Sequence, residues 1–160
     1  MSAESNKALI ENFYTAFQNK DGQTMADSYA SDATFHDPVF QELQGVQIGA
    51  MWKMLLERST DLKIVFSEVQ ADESTGSAKW VATYPFSKTG RTIVNHIQAK
   101  FKFEDGKIID HKDSFSLWKW SRMALGASGL FLGWSGAVQG KIRKEAQGGL
   151  KLWMKRKRIS

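Results

Sequence analysis

Apolar residues recur at helical spacing near the start of the chain and later switch to alternation. Leu9, Ile10, Phe13, Ala16 and Phe17 share one helical face, which predicts a helix over residues 5–20 with Ser5 as N-cap and Asp21-Gly22 as stop. A short helix over 22–30 brings Met25, Tyr29 and Ala30 inward, and a strand over 33–36 follows. A loop bounded by Pro38 and Gly45 leads to a third helix, 47–58, with Ile48, Met51, Trp52, Leu55 and Leu56 on one side. Four strands come next: 62–71, with Val69 out of step; 77–86; 91–103, where Ile97, Ala99, Phe101 and Phe103 alternate; and 107–118, with Ile109, His111, Asp113, Phe115 and Leu117 on one face. Asp72 to Gly76, Ser87 to Gly90 and Glu104-Asp105-Gly106 carry turn chemistry.

Helices first, then a strand, a helix and an antiparallel meander predict an α+β fold. A curved antiparallel sheet wrapped by the N-terminal helices would enclose a cone-shaped pocket, with residues 1–120 as that domain and 121–160 as a C-terminal extension. In the extension, residues 127–157 read as one helix. Its apolar stripe is Leu130, Trp134, Val138, Ile142, Ala146, Leu150 and Trp153 or Met154, and its opposite face is basic. Gly129, Gly133, Gly136, Gly140, Gly148 and Gly149 weaken that helix.

Charge sharpens the division. Of 22 basic and 17 acidic residues, eight and one lie between Lys141 and Ser160, so this tail carries +7 and the remaining 14 basic and 16 acidic side chains carry −2. The body therefore has no nucleic-acid signature. The tail reads either as a helix packed on the body or a partner, or as a basic amphipathic helix resting on an anionic membrane. The absence of cysteine excludes disulfides, thiolate metal sites and a cysteine nucleophile. The N-terminus has neither the basic start nor the apolar core of a signal peptide, so the expected location is cytoplasmic.

The candidate chemistry centres on residues 29–38, YASDATFHDP, where Pro38 restrains Asp37 at the end of a strand. Asp37 reads as a turn aspartate or as a general base. His111 and Asp113 are ionisable groups on an apolar strand face, which must be paired, hydrated in a cavity or placed at an edge. His96 lies by alternation on the face opposite Ile97 and Ala99. No HExxH metal motif, nucleophile elbow, phosphate loop or dinucleotide fingerprint is present, and no metal or cofactor is expected.

The runs YASDATFHDPV, FYTAFQNKD and FKFEDGKIIDHKD resemble the nuclear transport factor two-like superfamily, and within it SnoaL-like proteins and ketosteroid isomerases, over about residues 5 to 120. The resemblance implies a homodimer through the sheet. It implies the isomerase base at Asp37 and, by comparison with polyketide cyclases, an acid/base at Asp113. The isomerases' oxyanion donors fall instead on Phe13, next to Tyr14, and on His96, so steroid isomerase activity is not expected. The resulting expectation is a cofactor-free isomerase or cyclase acting by proton transfer on a hydrophobic carbonyl compound. Asp37, Asp113, His96 and His111 would meet in one cavity, with Phe13, Tyr14, Trp52, Trp80 and Phe115 contacting the ligand. The alternative is a non-catalytic binding or scaffold protein of the same fold.

Overall fold

The computed structural model describes residues 2–126 and 136–159. Helices α1 (Ala3–Gln18) and α2 (Gly22–Asp27) lead into strands β1 (Tyr29–Asp37) and β2 (Gln41–Gln44). Helix α3 (Val46–Arg58) is followed by β3 (Lys63–Ala71), β4 (Thr75–Pro85), β5 (Thr92–Glu104), β6 (Lys107–Ser114) and helix α4 (Leu117–Leu125). The C-terminal helix is α5 (Gly136–Arg156). The strands form one curved, unclosed sheet in the order β2-β1-β6-β5-β4-β3. Every neighbouring pair is antiparallel except β1 and β6.

Alternation decides which face is buried. Ile93, Asn95, Ile97, Ala99, Phe101 and Phe103 of β5 point inward, while the residues between them are exposed or half-buried. Ile10, Phe13, Tyr14 and Phe17 of α1 and Ile48, Met51 and Trp52 of α3 complete the apolar layer against this face. Asn6 fixes the far end of α1, donating from Nδ2 to the backbone oxygens of Asp72 and Glu73 at the β3–β4 turn (3.0 and 3.2 Å).

Two bulges reset that alternation. In β3, Glu68 and Val69 stand opposite the single residue between Lys79 and Ser77, and Glu68 takes φ +52°. The bulge explains why Val69 is out of step with Ile64 and Phe66. In β6, Lys102 pairs with Asp110 and Phe103 with Ile108, so Ile109 is the extra residue. The fully buried position therefore belongs to Ile108, not to Ile109 as simple alternation from His111 predicts.

Three further expectations are corrected. β1 begins at Tyr29, four residues earlier than predicted, because α2 stops at Asp27. The loop before α3 contains the short strand β2, paired with β1. The last strand stops at Ser114, because Ser116 caps a new helix by accepting from the Lys119 amide (3.2 Å). Of the long C-terminal helix, Gly136–Arg156 is helical, while Gly129, Leu130, Gly133 and Trp134 lie outside the described residues.

One glycine marks a close helix approach. A Cβ on Gly49 of α3 would lie 2.6 Å from the Cβ of Ala26 in α2. Gly49→Ala is expected to lower the free energy of unfolding by about 1–3 kcal/mol in a denaturant melt, because α2 and α3 must separate. An unchanged or raised midpoint would show instead that alanine's helix propensity, about 1 kcal/mol in its favour, outweighs the clash.

Candidate functional site

A cavity of about 410 Å³ opens between the sheet, α3, the turn after β1 and the inner side of α5. Its walls are largely apolar: Phe17, Met51, Trp52, Trp80, Ile97 and Phe115 are among them. Volume and lining suit a small hydrophobic molecule. Asp37 and Asp113 both face this space, joined by Tyr84 and Asn95.

Asp113 is 3 % exposed and His111 is fully buried, so both depend on internal partners. His111 Nε2 lies 2.9 Å from Asp113 Oδ1, and Trp80 Nε1 donates to the same oxygen at 3.3 Å. On the other side of the ring, His111 Nδ1 lies 2.7 Å from the Tyr29 hydroxyl, which accepts from Trp52 Nε1 at 2.9 Å. These contacts select one arrangement of protons. The Tyr29 O–H, having accepted from Trp52, donates to Nδ1; Nε2 keeps its hydrogen and donates to the Asp113 carboxylate. Every donor in the chain Trp52–Tyr29–His111–Asp113 is then used once. Burial raises the Tyr29 phenol well above its ordinary pKa, so the hydroxyl stays a donor.

The fold assembles this chain from distant segments. Tyr29 starts β1, His111 and Asp113 sit two apart on β6 facing inward, and the parallel β1–β6 pairing, which sets Tyr29 beside Ile108, brings the Tyr29 hydroxyl within reach of the imidazole. Phe13, Phe35 and Phe101 surround the imidazole with ring centroids 5.9, 5.0 and 4.4 Å away. His111 therefore does not reach the cavity and touches the site through its 2.9 Å contact with Asp113. The contacts with His111 and Trp80 both fall on Oδ1 of Asp113, which leaves Oδ2 for the cavity.

Asp37 is a turn aspartate that also faces the cavity. Its Oδ1 accepts from the backbone amides of Val39 (2.8 Å) and Phe40 (2.6 Å), as a turn aspartate does. It also lines the cavity, and burial pushes its carboxyl up to about 6. The Phe40 amide pulls the other way, and the negative charge of Asp113 adds to the rise. Burial exceeds the effect of both amides.

The elevated pKa has a consequence for stability. Between the unfolded value of 3.8 and about 6, the folded protein holds the Asp37 proton more tightly than the unfolded chain does. Stability from this group thus falls as pH rises through that window and levels off above it. Two units correspond to a cost of up to about 3 kcal/mol at neutral pH. Asp37→Asn retains an acceptor for the two amides and removes the charge. The variant is expected to melt higher than the parent at pH 8, by about 1–2 kcal/mol, and to match it near pH 4. Equal differences at both pH values would rule out ionisation of Asp37 as the cause.

The remaining site candidates are placed as follows. His96 does not join the other three: it is exposed on the outer face of β5, paired with Val81, as alternation indicates. Its neighbour Asn95 faces the cavity and is 8 % exposed. Phe13 and Tyr14 are fully buried behind the cavity wall and do not line it, whereas Trp52, Trp80 and Phe115 do. The Tyr14 hydroxyl is buried without a hydrogen-bond partner. Sequence reasoning missed Asn95, Tyr84 and Tyr29. Asn95 was detectable, since it stands two residues before Ile97 on the inward face. Tyr84 accepts from Trp120 Nε1 at 2.8 Å, so its own O–H remains for a ligand. Among the described residues, no group of three or more His, Asp or Glu is arranged to hold a metal ion.

Comparison with known proteins places this geometry. The SnoaL-like domain family matches residues 10–111. No curated protein matches the chain. Among solved structures, a LEH-like epoxide hydrolase of M. tuberculosis aligns at 17% identity and TM-score 0.65, over 80% of this chain and 93% of its own. A candidate polyketide cyclase from Xanthomonas campestris pv. campestris aligns at 18% identity and TM-score 0.66, over 78% of this chain and 99% of its own. A protein of ketosteroid isomerase-like fold from Catenulispora acidiphila, in complex with trimethylamine, aligns at 10% identity and TM-score 0.64, over 72% and 91%. At these identities the structural likeness establishes the fold, and the family match goes further: the chain belongs to the SnoaL-like family of the nuclear transport factor two-like superfamily.

Proposed function

We propose that the protein is a cofactor-free acid/base enzyme that moves a proton beside the carbonyl of a hydrophobic small molecule held in the cavity. The observation that carries this reading is the pair of carboxyl groups in one apolar space. Asp113 is anchored by His111 and Trp80, and Asp37 is raised to about 6. Two carboxyl groups held in different surroundings, one anchored by two donors and the other raised by burial, can divide into a base and an acid.

In this reading, the Asp113 carboxylate takes a proton from the carbon next to the carbonyl. The electron pair moves onto the carbonyl oxygen, where protonated Asp37, the Tyr84 hydroxyl and the Asn95 amide are the available donors. Return of the proton from Asp113 to a second carbon completes an isomerisation; attack of the enolate carbon on a second carbonyl of the same molecule, with the Asp113 proton passing to the alkoxide so formed, would complete a cyclisation. The aspartates carry the proton transfer, and His111 holds Asp113 in place.

The test is solvent deuterium exchange into a panel of hydrophobic enolisable ketones and lactones, followed by mass spectrometry at pH 5 to 8. Exchange is expected to decline as pH rises above about 6, when Asp37 loses its proton. Tight binding of panel members with no exchange at any pH would favour a binding protein that uses the same apolar cavity without turnover.

A further inference from the structure

Helix α5 has two faces with separate roles, and only the inner one belongs to the cavity. Ile142, Ala146 and Gly149 line the cavity, while Leu150 and Trp153 are buried. The helix is tied down by hydrogen bonds: Arg143 Nε donates to the Pro38 oxygen (2.8 Å) and Trp153 Nε1 to Glu57 Oε2 (3.0 Å). Lys157 adds a 3.4 Å ion pair to Glu57 and lies 5.6 Å from the centre of the Trp153 ring.

The outer face is different. At about 100° per residue, Lys144, Lys151 and Lys155 project within about 40° of one another, with Lys141 flanking them. All four are exposed, as are Arg156 and Arg158 at the helix end. Lys144, Lys151 and Lys155 make no ion pair or hydrogen bond among the described residues. The single acid of this segment, Glu145, is already paired with Lys88 at 2.6 Å. Beside the lysines stands Leu152, 47 % exposed. Among the described residues, no aromatic side chain is exposed on this face, since Trp153 is buried.

We propose that the outer face of α5 is a docking surface for a membrane rich in anionic phospholipid. A row of uncompensated lysines on one rigid helix matches a plane of negative headgroups, and an exposed leucine among them gains from entering the headgroup region. A nucleic acid would leave Leu152 unmatched and finds no ring on which to stack a base. The helix lies flat, with its apolar side held by the protein and its basic side on the lipid. No helix among the described residues is long and apolar enough to cross a membrane. A bilayer docked here would sit about one helix diameter, roughly 10 Å, from an apolar cavity. A ligand dissolved in lipid would then have a short path to it. Docking stands independently of the proposed proton transfer, since it uses no cavity residue and is read without turnover.

The experiment is flotation of the full chain with vesicles of phosphatidylcholine alone and with about 30% phosphatidylglycerol, at about 0.1 M and 0.5 M NaCl. The protein is expected to float with the anionic vesicles at low salt, to stay behind with neutral ones, and to be released at high salt. Each surface lysine contributes about fivefold to such partitioning, so K144E/K151E/K155E is expected to lose at least about a hundredfold. The triple Lys→Gln variant, which only neutralises the charges, should lose nearly as much and guards against misfolding of the charge-reversed helix. Lys100→Glu with Lys102→Glu, on the exposed face of β5, should bind within about threefold of the parent. Equal flotation with neutral vesicles, undiminished binding by the α5 variants, an equal loss in the β5 variant, or binding to duplex DNA without binding to vesicles would each overturn the proposal.

Discussion

Asp113→Asn is expected to slow proton exchange into a bound hydrophobic ketone by about 10²- to 10⁴-fold, the usual worth of a positioned general base. The substitution keeps the shape of the side chain and keeps Oδ1 as an acceptor for His111 and Trp80. Ligand affinity should therefore change by no more than a few-fold, because the cavity is otherwise apolar. Separation of rate from affinity is the diagnostic feature, and it is read from single-turnover exchange beside equilibrium binding. A variant that binds and exchanges like the parent would move the base to Asp37. In that case Asp37→Asn would abolish exchange, where the present reading has it remove the pH limb near 6 and leave a slower reaction assisted by its amide.

The second large effect concerns stability. His111→Phe preserves most of the volume and the aromatic packing around Phe101 and Phe35, yet removes two hydrogen bonds. The Tyr29 hydroxyl loses the group it donates to, and Asp113 keeps only the 3.3 Å contact with Trp80. Removal of one member of a buried, hydrogen-bonded pair typically costs about 3–5 kcal/mol, because the other is left uncompensated. Thermal or urea unfolding of His111→Phe is expected to show a loss in that range. Adding Asp113→Leu should recover part of it, since the stranded charge is gone, giving a coupling of about 1–3 kcal/mol between the two positions. A single-variant loss under about 1 kcal/mol, with no coupling, would mean that water satisfies Asp113 and that the chain from Trp52 to Asp113 does not hold it.

These predictions rest on features of unequal visibility. The alternation in β5 is plain in the residues because apolar side chains occupy every second position from Ile97 to Phe103, and a buried face tolerates little else. The same periodicity places His96 outward, and the structure agrees with that local pattern over the alignment by resemblance, which set His96 inside the cavity. A one-residue offset reverses a strand's face, so Asn95 occupies the cavity-facing position. Bulges defeat the pattern in the same way: the extra residue at Ile109 leaves His111 and Asp113 inward but transfers the buried aliphatic position to Ile108.

What the chain determined by itself is local and compositional. The helical stripes of α1 and α3, the Asp37-Pro38 turn, two ionisable groups on an apolar strand face and a basic C-terminal helix all follow from spacing that neighbouring residues impose on one another. Tertiary structure decided which of these meet. The Tyr29 hydroxyl reaches His111 across 82 residues only because β1 and β6 pair in parallel. Asp37 is raised to about 6 chiefly because burial removes it from water, with the Asp113 charge adding to the rise, and no local motif records either effect. Closure of the cavity depends on α5 returning over α3, a long-range packing held by Trp153, Glu57 and Arg143, and nothing in the spacing of that helix specifies where it lands. Periodicity reports what a segment must bury, and the partner it is buried against is set by the whole chain.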